Sequence, residues 1–289
     1  MSGPPFRAEH IGSLLRPRRL LEARDRAAVI DACIAEAIRW QESLGLEVVT
    51  DGEFRRESWR LGFVQKVNGF ARADAVGEVD VQRNDAGNAA KVGAAPLAVE
   101  KVRRRGPIVA DEVAQTLLCD QNIRAAVRAR GDDPERLIDL YIDLINRIVR
   151  PRPSGMTVGV HMCRGNAGGK WIALGGYERI AEKAFGALEA DGFFLEYDSE
   201  RAGGFAPLRF VPKGKMVILG LVSTKVPALE SKDALKRKID DAAKFVPMEN
   251  LGLSPQCGFA SHEKGTRLTF AEQEAKLRLV VETAREVWG

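Results

Sequence analysis

Thr157-Val158-Gly159-Val160-His161-Met162-Cys163-Arg164-Gly165-Asn166 is the stretch on which the fold turns. A β-branched apolar run ends in an imidazole and a thiol, then opens into Arg164-Gly165-Asn166-Ala167-Gly168-Gly169, a loop without periodicity. Two residues apart on a strand, His161 and Cys163 face the same side, within reach of one ion. Histidine and cysteine are also ordinary core residues. The pair therefore gains weight only if other parts of the chain supply further ligands, and Glu196 and Cys257 are the candidates.

Working outward, residues 134–149 carry apolar side chains at Leu137, Leu140, Tyr141, Leu144, Ile145 and Ile148, a helical stripe that leads into the His161 strand. The same order of helix, glycine, apolar strand and polar loop recurs. Residues 27–44 form a helical stripe, Gly45 caps it, and 46–50 reads as a buried strand ending in Asp51-Gly52-Glu53. A helix over 177–189 precedes the strand Phe193-Phe194-Leu195-Glu196-Tyr197. Residues 216–222 are a further apolar strand, a helix spans about 232–245, and Leu251-Gly252-Leu253-Ser254 runs into Pro255-Gln256-Cys257-Gly258. A final helix begins at Thr269, with Glu272 placed for a capping box.

Strands alternating with helices predict a parallel sheet, and strands without polar alternation predict that both faces are covered. Each polar cluster falls just past the C-terminal end of a strand, where barrel active sites lie, so a TIM-type (β/α) barrel fits best. A doubly wound open sheet is the alternative, but no Gly-x-Gly-x-x-Gly follows the first strand. Residues 61–106 break the pattern with short alternating runs and read as a β-hairpin-like excursion within a single domain, 1–289. With a short strand at 107–110, about seven strands can be counted, one fewer than a complete barrel.

Composition sets outer limits. A chain of 289 residues, 45% hydrophobic and 29% charged, can bury a large core. No apolar run reaches the ~18 residues of a membrane span. The opening residues lack the apolar core of a secretory signal, which points to the cytoplasm. The net charge of +4 is spread along the chain, and Arg103-Arg104-Arg105 has no aromatic neighbours, so it reads as a solvated turn and not as a nucleic-acid contact. Four cysteines (Cys33, Cys119, Cys163, Cys257) suit thiols or metal ligands better than a disulfide framework.

A barrel rim would gather His161, Cys163, Glu196 and Cys257 from separate strands. Two thiolates, an imidazole and a carboxylate make a soft-leaning set that suits Zn²⁺ and not Mg²⁺ or Ca²⁺. Such a site carries formal charge −1, too electron-rich to activate water well. It suits holding an external thiol as thiolate while leaving electron density on sulfur. The predicted chemistry is alkyl transfer to a thiol.

Taken together, His161-x-Cys163-Arg-Gly-Asn, Phe194-Leu195-Glu196-Tyr197 and Ser254-Pro255-Gln256-Cys257-Gly258-Phe259, with Ile11-Gly12-Ser13 and Asp51-Gly52-Glu53, resemble the cobalamin-independent methionine synthase family. The likeness is to its catalytic zinc barrel in a short, single-domain bacterial form. It implies that His161, Cys163, Glu196 and Cys257 bind Zn²⁺ and that the metal activates homocysteine for methylation by a methyltetrahydrofolate. It further implies that Ile11, Gly12, Ser13 and Glu53 hold the homocysteine carboxylate and amino group, with Asp111 matching a further acidic residue.

The chain departs from that pattern in three respects. The N-terminal half-barrel of the long enzymes, which helps bind folate, has no counterpart. Val222 stands where those enzymes carry a histidine thought to assist proton transfer, which leaves Lys225 as a candidate substitute. About one βα unit is missing at Asp111-Glu112-Val113. A barrel short of one stave exposes strand edges, so the expectation is a partly open barrel, a homo-oligomer covering the gap, or a weakly stable product. Relatives that open epoxides with coenzyme M, and a zinc-binding homologue without turnover, are the alternative readings.

Overall fold

The computed structural model describes residues 7–58, 67–70, 78–81, 90–93, 98–104, 114–166, 169–263 and 265–289. Helices α1 (Arg18–Glu22) and α2 (Ala27–Leu44) come first. α2 stops where Gly45 turns left-handed at φ 89°, its N–H returning to the carbonyls of Gln41 and Glu42. Four short strands follow: β1 (Val67–Phe70), β2 (Glu78–Val81), β3 (Ala90–Gly93) and β4 (Ala98–Arg104). They pair antiparallel, β1 with β4 and β2 with β3.

The α/β part begins with α3 (Ala114–Leu117), α4 (Gln121–Ala129) and α5 (Pro134–Val149). Asp120 and Asp133 cap α4 and α5 by accepting backbone N–H bonds of the first turn. Then come β5 (Gly159–Met162), α6 (Ala181–Ala187), β6 (Gly192–Glu196), β7 (Met216–Val222), α7 (Lys232–Ala243), β8 (Leu251–Pro255) and α8 (Phe270–Trp288). Thr269 and Glu272 complete the expected capping box of α8.

β5, β6, β7 and β8 lie side by side in chain order, all parallel. The N-terminal segment continues the sheet beyond β8: Ala8 bridges Leu253 in parallel, and Glu9 N–H donates to the Leu253 carbonyl at 2.9 Å. Val160, Met162, Phe193, Leu195, Val217, Leu219, Leu251 and Leu253 are all buried and join Ile138, Phe185, Ile239 and Val280 of the helices in one core. A second cluster, around Leu14, Leu20, Leu44, Phe54, Phe259 and Leu277, seats α2 and α8 behind the N-terminal segment. The mixed α/β class and the parallel sheet agree with the sequence. The described residues form an arc of strands, not a closed ring.

Two expected strands are not seen as such. Residues 46–50 carry no strand pairing. The Gln41 side chain takes the ladder's place, its Oε1 accepting from Thr50 N–H at 3.0 Å and its Nε2 donating to the Thr50 carbonyl at 2.8 Å. A side-chain amide thus satisfies backbone groups that a neighbouring strand would otherwise pair. Residues 107–110 and Asp111 lie outside the described residues. Among those described, no helix is long and apolar enough to cross a membrane.

Candidate metal centre

The polar side chains collect at the C-terminal ends of the parallel strands, because that is where each apolar run gives way to a loop. His161 lies on β5, with Cys163 just beyond its end, and Cys257 follows β8 by two residues. One donor atom from each of His161, Cys163 and Cys257 lies within 4.8 Å of the other two. Ligands around a tetrahedral zinc sit roughly 4 Å apart, so this spacing is compatible with a soft ion held by all three. The Cys163 thiol is pulled below its ordinary range chiefly by its hydrogen bond with Cys257; burial opposes this and the charge of His161 adds to it. The other two cysteines stand elsewhere. Burial pushes the Cys119 thiol up to about 11, which makes it inert, and Cys33 accepts a bond from Arg19 Nε at 3.1 Å.

Glu196, expected as a fourth ligand, does not join this trio. Its Oε2 accepts from Arg164 N–H at 2.5 Å, and its Oε1 from Arg201 Nη2 at 2.6 Å and Lys225 Nζ at 3.2 Å. Burial alone would raise its pKa, but Lys225, Arg164 and Arg201 outweigh that and hold the carboxyl below the usual range. Lys225 is not a surface lysine. Its ammonium is buried between Glu196 and Asp198, and the two carboxylates raise its proton affinity against the desolvation that would lower it.

A small pocket open to solvent lies over the cluster, lined by Ile11, Ser13, Glu53, Arg56, His161, Cys163, Gly165, Asn166, Cys257, Gly258 and Ser261. Ile11, Ser13 and Glu53 therefore share one cavity with the three soft donors. Close approach of two loops builds it. A Cβ on Gly258 would stand 1.9 Å from Ser13 Oγ and 2.7 Å from the Ile11 carbonyl, and Phe259 N–H donates to the Ser13 carbonyl at 2.8 Å. Gly12 holds a left-handed φ of 62° while Glu53 packs against it, with Oε1 2.6 Å from a hypothetical Cβ. Glu53 itself adopts φ 55°, a strained choice for a non-glycine residue. Arg56 grips its carboxylate through Nε at 2.5 Å and through Nη2.

Arg56 and Ser261 line the pocket and went unmarked in the sequence, and Asn166 was quoted there only as part of the motif that follows Cys163. Each lies within four residues of a marked one, so motif proximity was the only available signal. Asn166 donates to Thr224 Oγ1 at 3.1 Å and accepts from Gly169 N–H at 2.9 Å, which ties the loop after β5 to the one after β7.

A parallel α/β fold thus gathers two thiols and an imidazole, a donor set that could hold a soft metal ion, in a pocket with an acidic loop. Residues 154–286 match the family described as "Cobalamin-independent synthase, Catalytic domain". The uncharacterized protein YxjH of Bacillus subtilis is 34% identical, with 98% of this chain and 95% of YxjH covered. The chain belongs to the cobalamin-independent synthase family. Among solved structures, a candidate vitamin-B12 independent methionine synthase from Listeria monocytogenes superposes with a TM-score of 0.65 at 29% identity, covering 99% of this chain and 98% of that one. The B12-independent methionine synthase of Shewanella sp. W3-18-1, solved in complex with selenomethionine, shares the fold at a TM-score of 0.69 and 17% identity, with 98% of each chain covered. The match to YxjH runs over 358 positions against a chain of 289 residues, so that relative carries residues for which this chain has no counterpart.

Proposed function

We propose that the chain is a zinc-dependent methyltransferase that passes a methyl group, from a methyltetrahydrofolate, to the thiol of homocysteine to give methionine. The observation that carries this reading is the convergence of His161, Cys163 and Cys257 in the cavity that Ile11, Ser13 and Glu53 also line. The fold would be a single (β/α) barrel-type domain, 1–289, short of one βα unit near Asp111-Glu112-Val113.

His161, Cys163 and Cys257 would hold the ion. Zinc, when bound, supplies a soft Lewis acid that keeps an incoming thiol deprotonated at neutral pH. Glu196 is the remaining ligand candidate, and taking that role costs it Lys225 or Arg201 as a partner. The Glu53 carboxylate, which Arg56 holds, would take the substrate ammonium. Ser13 and the backbone at Ile11 and Gly12 would take the substrate carboxylate, and Asp111 remains a further candidate contact. Lys225 is the candidate proton source in place of a histidine, although its raised proton affinity suits charge balance with Glu196 and Asp198 better.

One observation favours a second reading, a zinc-binding homologue without turnover: the chain lacks residues that YxjH carries. Zinc-loaded protein supplied with homocysteine and methyltetrahydrofolates, with methylcobalamin as an alternative donor, separates the two. Methionine formation supports methyl transfer. One zinc per chain with no methionine from any donor supports the second reading.

A further inference from the structure

Tyr177 opens a short 3₁₀ turn, Tyr177–Arg179, and its side chain is completely buried. Its hydroxyl donates to the Met162 carbonyl at 2.6 Å and accepts from Glu196 N–H at 2.9 Å. Met162 is the residue between His161 and Cys163. The pairing of β5 with β6 ends at Met162 and Leu195. The hydroxyl therefore links two backbones at the level where they leave the sheet to present their polar side chains.

The ring cannot swing away. The Arg164 guanidinium lies 4.3 Å above it, and the rings of Phe185 and Tyr197 stand 5.8 and 5.3 Å off. Arg164 is held in turn by the Gly175 carbonyl at 2.6 Å and the Glu196 carbonyl at 3.3 Å. We propose that Tyr177 is a positioning residue for the metal site, its hydroxyl fixing the separation of the β5 and β6 ends and hence the placing of His161, Cys163 and Glu196. This rests on the metal reading above. Groups that orient ligands without touching the ion typically matter by about 10–100-fold in affinity.

Tyr197 supplies the control. It is buried in the same aromatic cluster, but its hydroxyl has no hydrogen-bond partner among the described residues. Zinc affinity is measured by competition with a chromophoric chelator, and site geometry by the visible absorption of the Co²⁺-substituted protein. Tyr177→Phe is expected to bind zinc about tenfold or more weakly and to shift the Co²⁺ bands, with Tyr197→Phe unchanged in both. Equal zinc affinity and identical Co²⁺ bands in wild type and Tyr177→Phe would overturn the proposal and leave the metal reading standing. Wild type that binds no zinc would overturn both.

The chain has three tyrosines, which allows a test independent of how well Tyr177→Phe folds. In a Tyr141→Phe, Tyr197→Phe background, 3-fluorotyrosine labels position 177 alone. Its fluorine resonance is expected to shift on saturation with zinc, and an unmoved resonance would contradict the link.

Discussion

Lys225 Nζ lies 3.2 Å from Glu196 Oε1 and 2.9 Å from Asp198 Oδ2, with all three side chains almost wholly buried. This contact, with Arg164 and Arg201, keeps Glu196 ionised against the desolvation that would raise its pKa, and its carboxylate is not among the three clustered donors of His161, Cys163 and Cys257. Arg201 reaches the same two carboxylates, at 2.6 and 3.7 Å. Two acids thus share two bases, and the charge of Glu196 is felt at the Cys163 thiol.

Replacing Lys225 by methionine leaves Arg201 as the one salt-bridge partner shared by Glu196 and Asp198, beside the Arg164 N–H and charge that Glu196 keeps. Stripping one partner from a buried charge network costs about 3–5 kcal/mol. The metal-free Lys225→Met protein is therefore expected to melt well below wild type. Zinc should raise its midpoint by more than it raises that of wild type, because a bound cation restores the charge balance. Differential scanning calorimetry with and without zinc checks this, and equal zinc-induced shifts would count against it.

Gly258 is where the loop after β8 meets the N-terminal loop. Gly258→Ala forces Ser13 and the Ile11 backbone apart, since a methyl group would stand 1.9 Å from Ser13 Oγ. Overpacking of this kind costs about 1–3 kcal/mol. The pocket floor moves with it, so KM for the thiol substrate is expected to rise about tenfold with a smaller change in kcat. Steady-state kinetics and a thermal melt on the same preparation test both halves.

Glu9 predicts a pH effect on stability. Burial, aided by repulsion from Glu47, pushes its carboxyl up from 4.5 to about 8. The raised folded-state value means that its contribution is fully present below pH 4.5 and is lost as pH rises to about 8. Within that window the slope is about 1.4 kcal/mol per pH unit at most. Subtracting the Glu9→Gln melting curve from that of wild type is expected to isolate the slope, with the variant gaining relative stability from pH 5 to pH 8. A constant difference across that range would contradict it.

The three-donor cluster was legible because strand ends announce themselves. His161 and Cys163 end an apolar run at strand spacing, and Cys257 follows another after Ser254-Pro255. Glu196 was legible as a rim residue for the same reason. Its partners were not, because Arg201 and Lys225 reach it from later loops, and no local pattern encodes which salt bridge a buried acid will form. Residues 46–50 misled for a related reason: Val48-Val49-Thr50 has strand chemistry, but the Gln41 amide satisfies Thr50 from the preceding helix. The helices at 134–149 and from Thr269 followed their periodicity and capping residues closely.

The account depends on His161, Cys163 and Cys257 gripping one zinc that an incoming thiol then joins. X-ray absorption at the zinc edge, recorded before and after adding homocysteine, tests it most directly. The prediction is two sulfur scatterers from the protein at rest and three with homocysteine present, with one fewer in each state for Cys257→Ala. A sulfur count unmoved by homocysteine, or unmoved by loss of Cys257, would contradict it.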